Sequence, residues 1–198
     1  SGTATVKPVP DFVSDTTTCS GVPIQFYDAS SISPTSWQWT FTGGTPSTST
    51  NQNPVVQYAT PGTYAVKLVV SNGFGSDSIE KVSYITVKPD VTPTVSISSN
   101  QGLTVCENYG VDIVSTITNE GASPQYKWLI NGNLVSQGSA NQTFYSLQNG
   151  DQVQLVVYTS EACATIDSAI SNTLTFVVNP LPTVSFGQVS ALCVSSSP

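Results

Sequence analysis

The sequence predicts an all-β chain built as β-sandwiches in tandem, and three observations predict it. Strand-like stretches alternate apolar and polar residues with period two, the mark of strands packed on one side. Gly- and Pro-containing turn signals separate them at short intervals. Cys19, Cys106 and Cys193 stand 87 residues apart, and other features recur at the same interval.

The best-defined stretch runs from Trp37 to Val70. Trp37, Trp39 and Phe41 share one face of a first strand; Tyr64, Val66, Leu68 and Val70 share one face of a second. Gly43-Gly44 and Pro61-Gly62 break the chain between them. Trp39 and the Gly62-Thr63-Tyr64 lead-in suggest the two halves of a small sandwich core.

The order of short motifs here carries a resemblance. Trp39-Thr40-Phe41-Thr42-Gly43-Gly44-Thr45-Pro46, Asn53-Pro54-Val55-Val56, Pro61-Gly62-Thr63-Tyr64, Val69-Val70-Ser71-Asn72 and Gly75-Ser76-Asp77 resemble a PKD domain. They resemble in particular the variant of secreted Bacteroidetes-type proteins, over roughly residues 9–88. Thr40 and Gly44 stand where many PKD domains carry aspartates. The resemblance implies an immunoglobulin-like, non-catalytic spacer or interaction module.

Repetition extends the reading along the chain. Leu68, Val66 and Val70 recur as Leu155, Val153 and Val157, and Trp39-Thr40-Phe41 falls on Tyr126-Lys127-Trp128. The expected organisation is residues 1–8 as the tail of a preceding unit or a linker, 9–88 as the PKD domain, 92–179 as a second sandwich, and 181–198 as the start of a third, incomplete repeat. The second is expected to hold strands at 94–98, 111–118, 125–130, 134–135, 142–146, 152–159 and 174–178. Asn131-Gly132, a tight hairpin signal, and Asn149-Gly150 are turn signals within it. Val105-Cys106, Tyr126-Lys127-Trp128, Asn149-Gly150-Asp151 and Ser160-Glu161-Ala162-Cys163-Ala164 resemble the Ig-like repeats that accompany PKD domains in bacterial surface proteins. The fold class is thus all-β, tandem immunoglobulin-like (PKD-type) sandwiches. Asp151 occupies the place of Tyr64, so a tyrosine corner is expected in the first unit only. The junctions Lys88–Pro93 and Asn179–Pro182 carry two prolines each and are expected to be stiff, since proline fixes φ and restricts its predecessor.

Composition narrows function. Charged residues make up 9% of 198, with no His and a net charge of −7. The five cations are all lysines and do not cluster, which argues against phosphate-backbone neutralisation, so no nucleic-acid binding is expected. Without a run of 18 apolar residues, no membrane insertion is expected. Without His, Ser-His-Asp and Cys-His arrangements cannot be built within the chain. Gly43-Gly44 is not followed by the Lys-Ser/Thr of a phosphate loop. The chain is expected not to be an enzyme.

Cys106 and Cys163, within one repeat, are the natural disulfide pair, closing a loop of 57 residues at roughly 3–4 kcal/mol by chain entropy. Cys19 is expected to be a small apolar core residue, with pairing across units the alternative; Cys193 has no evident partner. Asp28 and Asp77 are candidate oxygen ligands for calcium, the only cofactor considered, against a turn-capping role for Asp28. Trp37, Tyr58 and Tyr145 are a candidate platform for sugar rings, against core packing for Trp37. Asn141 fits a glycosylation sequon, and Thr16, Ser78 and Ser168 follow aspartates as in Bacteroidetes-type O-glycosylation.

The expected function is a non-catalytic extracellular stalk or spacer and adhesion segment of a large secreted or cell-surface bacterial protein. Its partners would be neighbouring repeats of the same chain and surface glycans or other proteins, and it is expected to be a monomer. The alternative is an accessory, polysaccharide-binding module of a secreted hydrolase.

Overall fold

The computed structural model describes residues 6–182, and none of these is helical. The expected third repeat at 181–198, with Cys193, falls almost wholly outside the described residues. Contacts divide the chain into two compact units. The first holds the chain up to Pro93 together with Asn119–Ser123 and Thr159–Asp167; the second holds Thr94–Thr118, Pro124–Tyr158 and the chain from Ser168. Both are immunoglobulin-like β-sandwiches.

In the first unit, one sheet has the order Thr17–Cys19, Gly75–Lys88, Gly62–Asn72, Ser36–Phe41 and Thr48–Ser49. Two small antiparallel pairs, Phe12–Val13 with Tyr27–Asp28 and Ile24–Gln25 with Val55–Val56, bring a second set of apolar residues to the core. The period-two alternation has its physical cause here: Trp39, Phe41, Val66, Leu68 and Val70 are fully or almost fully buried, and Trp37 and Tyr64 are half-buried against the same core. Trp37 lies opposite Val70, Trp39 opposite Leu68 and Phe41 opposite Val66. The two alternating stretches are therefore neighbours in one sheet rather than facing halves of the sandwich. Phe12 and Phe26 complete an aromatic cluster with Trp39 and Phe41, at ring separations of 4.9 to 6.4 Å.

Glycine is required at Gly43, where φ is +73° and a Cβ would run into the Tyr64 ring. The Tyr64 hydroxyl donates to the carbonyl of Thr60 at 2.7 Å, a tyrosine corner.

In the second unit, Asn133–Gln137, Gln125–Ile130, Gln152–Tyr158 and Ser168–Ile170 form one sheet, with Leu174–Thr175 also paired to Gln152–Tyr158. Thr94–Ser99, Val111–Thr118 and Gln142–Phe144 form another. Val95, Ile97, Val111 and Ile113 from one layer meet Trp128, Val153, Leu155 and Val157 from the other, with Phe176 buried among them. The tight turn at Asn131-Gly132 has both residues at positive φ, as a primed hairpin turn demands. Where the first unit has Tyr64, Asp151 ties the corner differently: its carboxylate accepts from Gln148 N and Asn131 Nδ2, both at 2.7 Å.

Each unit also carries one short parallel pair. Thr17–Cys19 runs beside Thr86–Lys88, and Thr104–Cys106 beside Val177–Asn179.

Candidate functional site

The residues singled out by sequence do not converge on one centre. Asp28 ends a two-residue strand, and its carboxylate is fully engaged by the protein. Oδ1 accepts from Ser30 N at 3.0 Å; Oδ2 accepts from Trp37 Nε1 at 2.8 Å and Gln52 Nε2 at 3.1 Å. Desolvation is the largest single influence on this carboxyl and raises its pKa. The hydrogen bonds from Ser30, Gln52 and Trp37 together outweigh it and hold the pKa below the usual value. Asp77 is held by Lys7 Nζ at 2.9 Å and accepts from Ser78 N, and these contacts lower its pKa, the Lys7 hydrogen bond most.

The calcium expectation is therefore corrected. Both carboxylates already accept from protein donors, and among the described residues no three His, Cys, Asp or Glu gather as metal ligands would. Asp28 caps the turn at Ser30 and fixes the Trp37 indole.

The sugar-platform expectation is corrected at Tyr58. Its ring is fully buried and stacks on Tyr64 at 4.9 Å, so it offers no face to a ligand. Burial first, and the neighbouring Tyr64 second, push its hydroxyl up to about 12. Trp37 is half-buried with its Nε1 committed to Asp28, whereas Tyr145 in the second unit is 66% exposed.

The expected Cys106–Cys163 bridge is also corrected. Cys163 is bonded to Cys19, 144 residues away, and Cys106 is an exposed free thiol. The reason is local packing: Thr159–Asp167 belongs by sequence to the second repeat but packs in the first compact unit. There Val91 N donates to the Cys163 carbonyl and Thr165 N to the Val91 carbonyl, at 2.9 and 2.8 Å. Cys19 is thus neither free nor merely a core filler.

Of the glycosylation candidates, Asn141, Thr16 and Ser78 are exposed and Ser168 is half-buried on a strand. Asn141 Oδ1 accepts from Ser115 N at 2.8 Å, leaving its amide nitrogen free of that bond. The recesses of the second unit are shallow. Two of about 280 Å³ are lined by Asn100, Asp112, Ile113 and Thr143, and by Gln101, Thr104, Val105, Cys106 and Tyr109. Both lie below the volumes usual for enclosed ligand sites.

Comparison with known families decides the character of the first unit: residues 5–87 match the family described as PKD domain. These residues form a PKD domain. No curated protein sequence matches the chain. Among solved structures, the fibronectin(III)-like modules of Clostridium thermocellum CbhA are 15% identical, with TM-score 0.38, over 90% of this chain and 100% of that one. The N-terminal eight Ig domains of Down Syndrome Cell Adhesion Molecule are 14% identical with TM-score 0.41, over 83% of this chain and 25% of that one. The ectodomain of mouse nectin-like molecule 4 is 14% identical with TM-score 0.37, over 91% and 67%. PKD and Ig-like domains are commonly extracellular adhesion or spacer modules and typically non-catalytic, and disulfides are typical of extracellular proteins.

Proposed function

We propose that this chain is a non-catalytic repeat segment of a large secreted or cell-surface bacterial protein, serving as stalk or spacer and as an adhesion or interaction module. One observation carries the reading: the PKD sandwich and the sandwich after it repeat the same internal devices. Trp39 and Trp128 are both fully buried and donate Nε1 to a backbone carbonyl at 2.9 Å. The two short parallel pairs end at Cys19 and Cys106, 87 residues apart. Scaffold is what recurs, while the polar side chains differ from one sandwich to the next, as suits modules that space and present rather than react.

The segments 9–88 and 92–179 are taken as its repeats, and the Cys19–Cys163 bond supports an oxidising compartment, where disulfides form and persist. Neighbouring repeats are the nearest partners, with glycans or proteins of another surface as external ones.

Immunolabelling of intact cells with an antibody raised against residues 6–182 tests the proposal. Label on the outer surface or in the medium, lost on external proteolysis, is expected; label only after lysis overturns it. A pull-down on insoluble polysaccharides tests the accessory-module alternative through the exposed Tyr145. Saturable binding lost in Tyr145→Ala would favour that alternative.

A further inference from the structure

Cys19 and Cys106 occupy the same place in two sandwiches. Each ends a three-residue strand paired in parallel with the last strand of its own sandwich, Cys19 opposite Lys88 and Cys106 opposite Asn179. The following amide, Ser20 N or Glu107 N, donates to the carbonyl of that opposite residue. The residue after it, Gly21 or Asn108, has positive φ, at 72° and 61°. The next, Val22 N or Tyr109 N, bonds back to the cysteine carbonyl at 3.2 Å. Cys106, Glu107, Asn108 and Tyr109 each lie 87 residues after Cys19, Ser20, Gly21 and Val22, while the opposite residues Lys88 and Asn179 are 91 apart.

What differs is occupancy. The thiol of Cys19 is joined to Cys163, carried on the loop Thr159–Asp167, and Cys106 is exposed and free. Beside Cys106 lies the recess of about 280 Å³ bordered by Gln101, Thr104, Val105 and Tyr109.

The loop has its own counterpart in the first repeat. The tip at Asn72–Gly75 sits 87 residues before Thr159–Ala162, and it too is fastened to the segment that leads into its repeat. Asn72 Nδ2 donates to the Val6 carbonyl at 3.1 Å, and Asp77 pairs with Lys7. In the second repeat the loop is fastened to Val91. This loop therefore reaches back along the chain in both repeats, and in the second it carries a cysteine to the waiting Cys19.

We propose that Cys106 is the standing half of a second disulfide, closed by a cysteine on the corresponding loop of a repeat that follows Pro180. The inference rests on the repeat-array reading given above. Cys106 and the incoming cysteine are each oxidised from thiol to half of one disulfide, losing two electrons and two protons together. A disulfide oxidant, of the thiol–disulfide oxidoreductase or small-molecule disulfide class, takes these and is reduced to two thiols. One cysteine thiolate attacks the oxidant's sulfur and expels the first thiol; the other cysteine then attacks the mixed disulfide and expels the second.

The test is peptide mapping under non-reducing conditions on the full parent chain, with free thiols blocked at harvest by N-ethylmaleimide. The expected result is a peptide containing Cys106 joined to one from beyond residue 198, its cysteine about 144 residues after Cys106 as Cys163 is after Cys19. Cys106→Ser should remove that joined peptide and leave Cys19–Cys163 intact. Maleimide on Cys106 in the native chain, or Cys106 joined to Cys193 or to a second copy, overturns the proposal while leaving the array reading standing. A parent chain without a repeat after Pro180 overturns both. As a control, Cys106 in the 198-residue chain alone should label without reductant, and failure to label would also overturn it.

Discussion

Trp39 Nε1 donates to the carbonyl oxygen of Asn51 at 2.9 Å, across the polar loop that leaves the Trp39 strand. The indole is fully buried, so this bond satisfies a donor that water cannot reach and pins the loop to the core. Trp128 does the same with Ser139 in the second sandwich. Trp39→Ala should cost about 3–5 kcal/mol. Trp39→Phe should cost less, with about 0.5–1.5 kcal/mol for the lost hydrogen bond, since Asn51 is exposed to water. Urea denaturation followed by circular dichroism checks both.

Tyr58 sets a limit at high pH. Its hydroxyl is buried without a protein hydrogen-bond partner. Its folded-state pKa of about 12 lies above the unfolded value near 10. A raised pKa gives stability that is complete below about pH 10 and lost as pH rises through about 12. Tyrosinate absorbance should show one late-titrating tyrosine together with loss of structure. Tyr58→Phe should be neutral or slightly stabilising at neutral pH and should shift alkaline unfolding upward.

Asp28 sets the opposite limit. Its folded-state pKa lies below the unfolded value, so its contribution is complete above about pH 4 and lost as pH falls through the folded pKa. Asp28→Asn should lower stability by about 1–3 kcal/mol at neutral pH. It should also flatten the fall of the urea midpoint in acid. An unchanged acid profile would show that other carboxylates dominate it.

Breaking the Cys19–Cys163 bond should cost about 2–5 kcal/mol, the chain-entropy figure for so long a loop lying at the upper end. Cys19→Ser without reductant and the native chain with reductant should give similar urea midpoints.

Gly44 stands where many PKD domains carry aspartate, and here the site is closed. A Cβ would lie 2.6 Å from Val56 Cγ1 and 3.0 Å from Phe41 Cβ. Gly44→Ala should cost about 1–3 kcal/mol by overpacking, measured as a lowered thermal midpoint.

Much of the scaffold was legible because it rests on local pattern. Alternation located Trp37–Phe41 and Tyr64–Val70, and the strands at 111–118 and 125–130 agree with those observed. The tyrosine corner followed from Tyr64, and its absence from the second sandwich followed from Asp151. The disulfide pairing, the calcium ligands and Tyr58 as a ligand platform were not legible, because each turned on partners that the local pattern does not display. Spacing inside one repeat pointed to Cys106 as the partner of Cys163. Pairing with Cys19 depends on a loop packing outside the sandwich its strands build. Tyr58 follows the short strand Val55–Val56 and an isolated bridge at Gln57, a stretch too brief for alternation to declare its burial. Asp28 offered oxygen to a cation on paper, and in the fold Ser30, Trp37 and Gln52 had already taken it.

The Cys19–Cys163 link also decides the route of tension through the chain. A pull applied ahead of Cys19 and beyond Cys163 has a covalent path from one to the other through sulfur, which bypasses the backbone between them. That bypassed segment, 144 residues by sequence separation, would contribute on the order of 500 Å if it could be drawn out straight. While the bond is oxidised, that length is withheld, and the segment resists lengthening by covalent connection as well as by the hydrogen bonds of its sheets.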